Sequence, residues 1–446
     1  MKQNKKSFRA ISFVLLLCIL LASLSLVSCS TFTYGLFSFD GDLSENEEKE
    51  TTGTNIGGGI SNGGTATGNP TGGTSVTIVN DGSEGANFAA AQGLRSAVSI
   101  YCTFEMTTGG NSFWNPIPST QTYYTTGSGV IYKLGADGSA FIVTNYHVIY
   151  DSNSNTATHV SDKIYVYLYG MEDEAYAIPA SFVGGSANYD IAVLRVDKSE
   201  VLKNAYANGS AAAVTVGDSD KVFPGTTTLA IGNPSATDLG GISVTRGIVS
   251  VDSEYITMTA SDNSGEVSFR VIRTDTPVNA GNSGGGLFND KGELIGIINA
   301  KITNTQIESI GYAIPSSVAR AIADNIIDYC YGKDCTSVMR GILGVTITTT
   351  AHSTVYDTES GMLVRVEEIS VHEVTSGGLA EGILRANDVI KSITIGEKTV
   401  SVTRQHHLID AMLDVRVGDT VSITVVRDGV EATVSTTITE GCLTKY

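Results

Sequence analysis

Short apolar runs separated by turn-forming residues recur from about residue 91 to residue 322. Runs of this length, bounded by Gly, Asn, Asp and Ser, are typical of β-strands. No helical crossover joins them, which favours antiparallel barrels over a parallel sheet. The pattern predicts a mostly β fold, with strands at 97–104, 127–132, 140–144, 163–168, 190–196, 227–231, 242–251, 267–273 and 294–300.

Two helical patterns follow in the C-terminal part of the chain. Residues 316–329 predict a helix with one apolar face, formed by Val318, Ala319, Ile322, Ile326 and Ile327. A second helix is predicted around 404–414, where Leu408 and Met412 stand four residues apart. The tandem His406 and His407 in this segment are expected to lie at the surface and not to bind a metal.

The first 28 residues have the composition of a secretory signal, with four basic residues, then an apolar stretch from about residue 11 to 27. The ending Leu26-Val27-Ser28-Cys29 resembles a bacterial lipobox, in which the cysteine is diacylated and becomes the first mature residue. An uncleaved membrane anchor is the alternative. Both place the body of the protein outside the cytoplasm, tethered to a bacterial membrane.

Residues 29–90 are predicted to form a flexible tether. The segment 40–50 is acidic, and residues 51–80 carry no charge and are rich in Gly, Thr, Ser and Asn. Such a composition buries too little apolar area to offset the entropy of ordering. Removing residues 1–28 takes four of the 28 Lys+Arg, which leaves 24 against 46 Asp+Glu and a net charge of −22. This charge argues against nucleic acid as a partner.

The remaining cysteines are Cys102, Cys330, Cys335 and Cys442. An exported chain permits disulfides, and four cysteines allow three pairings. Cys330 and Cys335 enclose a turn-like Tyr-Gly-Lys-Asp insert, so a local bridge is one alternative. No second Cys/His pair has the spacing of zinc ligands, so no zinc site is expected here.

Three local motifs carry candidate chemistry. The serine in Asn279-Ala280-Gly281-Asn282-Ser283-Gly284-Gly285 can present its hydroxyl on a tight turn with exposed backbone N–H groups. His147 ends one apolar run, and Asp190 opens another. Each alone has an ordinary explanation: a glycine turn, a core histidine, a strand-edge aspartate. The order His147, Asp190, Ser283 is that of the chymotrypsin type.

The blocks Thr144-Asn145-Tyr146-His147-Val148, Asp190-Ile191-Ala192-Val193-Leu194 and Gly281-Asn282-Ser283-Gly284-Gly285 resemble the catalytic motifs of the HtrA (Deg) family of trypsin-like serine proteases. The similarity runs from about residue 91 to the C-terminus. It implies a chymotrypsin-like double β-barrel, with the site in the cleft between the barrels. The first barrel would supply the histidine and aspartate, and the second the serine.

The roles follow from chemistry. His147 would take the proton of Ser283 and return it to the leaving amine, while Asp190 fixes the imidazole tautomer. The backbone N–H groups of Gly281 and Ser283 would form the oxyanion hole. This mechanism needs no cofactor and no metal.

The resemblance also describes a substrate pocket. Pro277, six residues before the nucleophile, would lie at the base of the S1 pocket, with Asn299, Ala300 and Lys301 forming its wall. A pocket without a carboxylate has no reason to prefer Lys or Arg, and the family implies small-to-medium apolar P1 residues.

Two departures from the family pattern are visible. Relatives usually have proline where Ala280 and Gly286 stand. Because proline fixes φ, the loop before the nucleophile and the turn after it are expected to be softer in this chain.

The last hundred or so residues resemble the family's PDZ domain. Gly341-Ile342-Leu343-Gly344-Val345 is similar to its carboxylate-binding loop, although Tyr is commoner at position 342. N–H groups in such a loop hold a terminal carboxylate, and the adjoining strand pairs with the peptide. The helix around 404–414 would form the other groove wall. A glycine-bounded apolar turn and simple core packing are the alternatives.

Four segments result: a lipoprotein signal peptide at 1–28, the tether at 29–90, a serine protease domain with a linker helix at 91–337, and a PDZ domain (α+β) at 338–446. We expect an exported, membrane-tethered serine endopeptidase of protein quality control, which cuts unfolded or misfolded proteins and binds peptide C-termini. The family suggests a homotrimer. The alternatives are a regulatory protease that cuts one membrane partner, and a chaperone or peptide-binding scaffold with a latent protease site.

Overall fold

The computed structural model describes residues 85–108, 118–234, 241–302, 310–358 and 360–446. The predicted signal peptide, Cys29 and most of the tether lie outside these residues. Helix α1 (Ala86–Leu94) has Ala89 and Gly93 buried, so the folded part begins before the predicted boundary at residue 91. Within the described ranges, no helix is long and apolar enough to cross a bilayer.

The first barrel is closed and antiparallel, in the order β1-β2-β3-β6-β5-β4. Along β1, the side chains at 98, 100, 102 and 104 alternate into its core, as the two-residue period of a strand requires. One-turn helix α2 (Tyr146–Ile149) follows β3, and α3 (Glu200–Ala207) follows β6. The strands are β1 (Ala97–Thr108), β2 (Ser119–Leu134), β3 (Ala140–Thr144), β4 (Lys163–Leu168), β5 (Ile178–Ser186) and β6 (Ile191–Val196).

The second barrel is also closed, in the order β10-β11-β12-β9-β8-β7. Its strands are β7 (Thr227–Gly232), β8 (Ser243–Thr259), β9 (Glu266–Thr274), β10 (Gly286–Phe288), β11 (Leu294–Ile298) and β12 (Gly311–Pro315). Helix α4 (Ser316–Cys330) confirms the predicted amphipathic helix. Its buried residues Val318, Ile322 and Ile326 share one core with β6, β7 and β11, so α4 packs against both barrels.

The C-terminal domain is a twisted sheet with one helix, α5 (Gln405–Ala411). The sheet order is β14-β15-β16-β18-β19, and β17 pairs with β16. A separate pair joins β13 (Met339–Gly341) to β20 (Leu443–Lys445). The remaining strands are β14 (Val345–Asp357), β15 (Met362–Val374), β16 (Val389–Ile395), β17 (Lys398–Ser401), β18 (Thr420–Arg427) and β19 (Val430–Thr437). The predicted fold class, mostly β with a double barrel before an α+β domain, is confirmed.

The tandem histidines are not at the surface, and that prediction is wrong. His406 is 5% exposed, and His407 is half-buried. Helix α5 lies against the second barrel, where the buried guanidinium of Arg270 on β9 is 3.0 Å from Asp410 of α5. The two histidines are therefore covered by the contact between the C-terminal domain and the barrel.

The structure has free cysteines in the described chain, and two of them are in contact. Cys330 Sγ and Cys335 Sγ are 2.6 Å apart, so the pair that the spacing brings together does meet. Cys102 lies in the core of the first barrel, where burial raises its pKa to about 12. Cys102 therefore serves as a small apolar core residue.

Gly286 lies within a paired strand of the second barrel, and the softness expected of this turn stays a prediction. Gly286 is buried and is paired with Ile231 on one side and Ile297 on the other. A Cβ added to it would lie 2.3 Å from Cε2 of Phe288, whose ring is fully buried. The phenylalanine ring thus occupies the volume that a side chain at position 286 would need.

We expect Gly286→Ala to lower the free energy of unfolding by about 1–3 kcal/mol, because the added methyl overpacks the core against Phe288. Gly441→Ala is the matched control, since a Cβ there meets nothing within 4 Å. Adding Phe288→Leu to Gly286→Ala should restore part of the loss. Urea unfolding followed by fluorescence measures all three, and a wild-type midpoint for Gly286→Ala would refute this packing account.

Candidate active site

His147 is positioned by the short helix α2 at the end of β3. Its Nδ1 lies 2.6 Å from Oδ2 of Asp190, and its backbone N–H donates to Oδ1 of the same carboxylate at 2.9 Å. These two contacts fix the imidazole ring and leave Nε2 for proton transfer. The side chain is 20% exposed, so that the ring can reach a substrate.

Asp190 is held in an unusual backbone conformation just before β6. Its φ is 53°, in the left-handed region that a non-glycine residue rarely adopts. Asn145 Nδ2 donates to its carbonyl oxygen at 2.8 Å. Two side chains of the second barrel reach its carboxylate, Ser261 Oγ at 2.5 Å from Oδ1 and Asn299 Nδ2 at 2.7 Å from Oδ2. The aspartate is thereby fixed from both barrels.

The carboxylate of Asp190 stays ionised although it is 1% exposed. Burial alone raises its pKa, but the charge of His147 and the hydrogen bonds from His147 and Ser261 outweigh burial and bring the pKa below its ordinary value. An ionised Asp190 stabilises the imidazolium that forms when His147 takes a proton.

Ser283 lies on the turn between β9 and β10, and two glycines shape that turn. Gly281 has a φ of 94° and Gly284 a φ of 83°. A Cβ on Gly281 would lie 2.2 Å from the Asn233 carbonyl oxygen, and one on Gly284 would lie 2.2 Å from that of Ser128. Only glycine meets both the backbone angle and the close approach at these positions. The glycines of the motif are therefore required by the turn itself.

Ser128 of β2 holds this turn onto the first barrel. Its backbone N–H donates to the carbonyl of Ser283 at 2.8 Å, and its Oγ donates to the carbonyl of Gly281 at 2.7 Å. Its own carbonyl accepts from Thr144 Oγ1 at 2.7 Å, three residues before His147. Ser128 therefore links the segment that carries the base to the segment that carries the nucleophile.

The structure leaves the predicted oxyanion donors available. Among the described residues, neither the Gly281 N–H nor the Ser283 N–H donates to a protein acceptor. The neighbouring N–H groups are occupied, that of Asn282 by the Asn279 carbonyl at 3.0 Å and that of Gly284 by the Ile298 carbonyl at 2.9 Å. Two free N–H groups beside a nucleophile suit a developing oxyanion.

The residues assigned to the substrate pocket lie in different surroundings. Pro277 is exposed, and its carbonyl accepts from Thr245 Oγ1 at 2.8 Å. Asn299 is fully buried, and its side-chain amide donates to the carboxylate of Asp190. The pocket assignment did not include this hydrogen bond. Ala300 is 8% exposed and Lys301 is exposed. That these four residues line the S1 pocket stays a prediction.

The residues of the predicted carboxylate-binding loop connect β13 to β14. Gly344 has a φ of 74°, and its carbonyl accepts from the Thr375 N–H at 2.8 Å. The Leu343 carbonyl accepts from the Ala380 N–H at 2.9 Å, while the Ile342 side chain is 48% exposed. The loop is thus anchored through its carbonyls to the turn at 375–380.

Sequence reasoning missed three residues of the site. Ser128 and Ser261 stand outside every motif, and no local signal distinguishes them from other serines in strands and turns. Asn145 lies beside His147 within the quoted motif, where its buried amide could have been suspected of a structural role. All three act through contacts between segments distant in sequence.

Two closed β-barrels, a His–Asp pair held by both, and a serine turn with free N–H groups define a trypsin-like serine endopeptidase. A family model described as "Trypsin-like peptidase domain" matches residues 127–297. The "Serine protease Do-like HtrA" of Lactococcus lactis subsp. cremoris is 31% identical over 339 residues, which cover 73% of each chain. The chain belongs to the HtrA family of serine proteases.

A second relative and a solved structure have comparable sequence identity to this chain. The "Serine protease Do-like HtrA" of Bacillus subtilis is 33% identical over 321 residues, which span 71% of this chain and 64% of that protein. A solved structure, "HtrA-type protease AlgW with tripeptide", is 27% identical, covers 81% of this chain and 97% of its own, and has a TM-score of 0.48.

We expect Ser128→Ala to lower kcat/KM about 5- to 150-fold, because a buried carbonyl left without its donor costs about 1–3 kcal/mol. The fall should be in kcat rather than KM, since Ser128 shapes the turn and touches no substrate. Ser99→Ala is the matched control: Ser99 pairs with Ser128 across β1 and β2, and its buried Oγ has no partner among the described residues.

Peptide hydrolysis at saturating and limiting substrate separates the two constants. Equal losses in Ser128→Ala and Ser99→Ala would assign the effect to general core damage. A wild-type kcat in Ser128→Ala would show that the turn does not depend on this serine.

Proposed function

We propose that this protein is an exported serine endopeptidase, tethered to a bacterial membrane through Cys29, that degrades unfolded or misfolded proteins and recognises exposed C-termini. One observation carries the enzymatic part: the free N–H groups of Gly281 and Ser283 lie in the same fixed framework as the His147–Asp190 pair. In this framework Ser283 attacks the peptide carbonyl, His147 moves the proton, and the N–H pair stabilises the oxyanion.

Unfolded chains are the substrates that suit such a site. A protease must bind an extended segment with its backbone accessible, and folded proteins offer such segments mainly when they open. Membership of the HtrA family supports a quality-control role. Export and anchoring rest on the residues 1–29 and their resemblance to a lipoprotein leader.

The C-terminal domain supplies a groove for a peptide terminus. A cavity of about 350 Å³ is lined by residues 340–345 on one side and by Leu408, Ile409 and Met412 on the other. In the described residues, β14 is the edge strand of its sheet and is free to pair with an added strand. An extended peptide can therefore add to β14 with its carboxylate at the loop 341–345.

The groove connects to the protease through α5. The apolar side chains of α5 line the cavity, while Asp410 on the same helix pairs with Arg270 of the second barrel. A peptide that moves α5 would therefore act on the protease. The homotrimer that the family suggests is part of the same proposal.

Digestion of unfolded casein by the wild-type protein and Ser283→Ala tests the function. We expect broad cleavage by the wild type, and a loss of about 10⁴–10⁶ in kcat for Ser283→Ala, as for removal of a triad nucleophile elsewhere. Mass spectrometry should find cuts after Val, Ala, Leu and Ile. A majority of cuts after Lys or Arg would refute the assignment of an apolar S1 pocket. A Ser283→Ala variant that keeps a tenth of the wild-type activity would refute the assignment of Ser283 as the nucleophile.

The same assay separates the rival functions. Cleavage of casein only after a groove peptide is added would favour a regulatory protease. Casein binding without cleavage under any condition would favour a chaperone or scaffold.

A peptide with a free apolar C-terminus should raise the protease rate about 5- to 150-fold, the range of a typical allosteric coupling of 1–3 kcal/mol. The amidated peptide should not, since it lacks the carboxylate. Ile409→Glu should abolish activation, whereas Val430→Glu, at a 67% exposed position on β19, should not. Equal rates with and without saturating peptide would show that the groove binds peptides without activating the protease.

A further inference from the structure

Three metal-ligating side chains converge where α5 meets the second barrel. Asp220, His406 and His407 each offer one ligand atom, and these atoms lie within 4.8 Å of one another. His406 Nε2 is 3.9 Å from Asp220 Oδ1, and the two imidazole rings have centroids 4.4 Å apart. Asp220 belongs to the barrel and both histidines to the C-terminal domain, so the cluster spans the contact between them.

The cluster opens into a cavity rather than into packed core. A cavity of about 220 Å³ has all three side chains in its wall. The barrel contributes residues 219, 220, 222–224, 252, 253 and 270, and the C-terminal domain contributes 354, 363–365, 403, 404, 406 and 407. A hydrated ion can enter such a space, and water can fill the coordination positions that the protein leaves open.

The surrounding charges permit a cation. Arg270 lies between two carboxylates, with Nη1 2.9 Å from Asp220 and Nη2 3.0 Å from Asp410. Arg404 is paired with Asp252 at 2.8 Å and stands 3.7 Å from Glu367. Arg365, the third guanidinium of the cavity wall, lies 3.0 Å from Glu367. Each guanidinium therefore has at least one carboxylate partner, and Asp220 would be shared between Arg270 and the ion.

Both imidazoles are oriented by hydrogen bonds to neighbouring residues. His406 Nδ1 is 3.3 Å from Ser253 Oγ, and His407 Nδ1 is 3.4 Å from Thr403 Oγ1. His406 Nδ1 has the Ser253 hydroxyl as its outer partner, which leaves Nε2 for an ion. His407 Nδ1 also accepts the backbone N–H of Thr403 at 3.3 Å, so ligation through Nε2 requires Nδ1 to carry the proton and donate to Thr403 Oγ1, because a metal-bound imidazole donates from its other nitrogen.

We propose that this cavity binds one divalent transition-metal ion of the zinc class, with Asp220, His406 and His407 as ligands. Two imidazoles and a carboxylate suit Zn²⁺ and leave a fourth position for water. Ligand atoms about 2.1 Å from a tetrahedral ion stand roughly 3.4 Å apart. Closing the present spacing therefore needs movements of about 1.5 Å or less.

Bound metal would tie the groove helix to the catalytic barrel. Helix α5 carries both histidines and the groove residues Leu408 and Ile409, and the groove residue Met412 is its C-cap. An ion that binds the assembled contact and not the separated one stabilises that contact by mass action. The site itself does not depend on what the groove binds.

Calorimetric titration of Zn²⁺ into the untagged, chelator-treated full chain tests the proposal. We expect one ion per chain, with affinity at least 10-fold weaker in Asp220→Asn and in His407→Ala. His352→Ala is the matched control, because His352 is exposed on β14. No saturable binding, or equal affinity in all four proteins, would overturn the site.

A second measurement needs no variant. Zn²⁺ should protect His407 from diethyl pyrocarbonate, as mapped by peptide mass spectrometry, and leave His352 and His372 as reactive as before. Both controls are exposed strand residues of the same domain. Zn²⁺ binding that leaves the reactivity of His407 unchanged would place the ion elsewhere and refute the assignment.

Discussion

Ser283 and His147, the proposed nucleophile and base, belong to different barrels, and the hydrogen bonds of Ser128 hold their two segments together. This serine is fully buried, and it fixes the carbonyls of Gly281 and Ser283 while Thr144 fixes its own. Because both carbonyls are held, the N–H groups of Gly281 and Ser283 are already in position before a substrate binds. Preorganised donors of this kind stabilise charge without reorganisation during the reaction. Asp190 depends on the same contact between barrels, because Ser261 and Asn299 reach it from the second barrel.

The features that the sequence predicts well are turns and short strands that depend only on neighbouring residues. The glycines at 281 and 284 were recognisable because a tight turn with positive φ needs them, and the structure has φ values of 94° and 83°. The strand at 140–144 and the strand at 163–168 match their predicted bounds, since each is a short apolar run between turn residues. Strand β5 was missed, because Pro179 and the pair Gly184-Gly185 read as turn signals. Strand β10 was also missed, because it has only three residues and begins with glycine.

What the sequence predicts poorly depends on distant partners. The Ser128 hydroxyl and the Gly281 carbonyl are 153 residues apart, and Asn299 and Asp190 are 109 apart. Nothing in the flanking residues of either donor reveals the partner. The tandem histidines were misplaced for the same reason, because their burial comes from a barrel surface and not from the α5 sequence. Residues 86–90, the first part of helix α1, were assigned to the tether, because the buried face of this helix consists of the small residues Ala89 and Gly93.

Labelling with a fluorophosphonate, followed by intact-mass and peptide mass spectrometry, shows whether Ser283 is the activated nucleophile. We expect one adduct per chain, on the peptide that contains Ser283, because His147 activates the hydroxyl and the N–H pair holds the phosphoryl oxygen of the adduct. We also expect that His147→Ala, although folded, is not labelled on the same timescale. An adduct on another residue, or labelling of His147→Ala at the wild-type rate, would contradict the account.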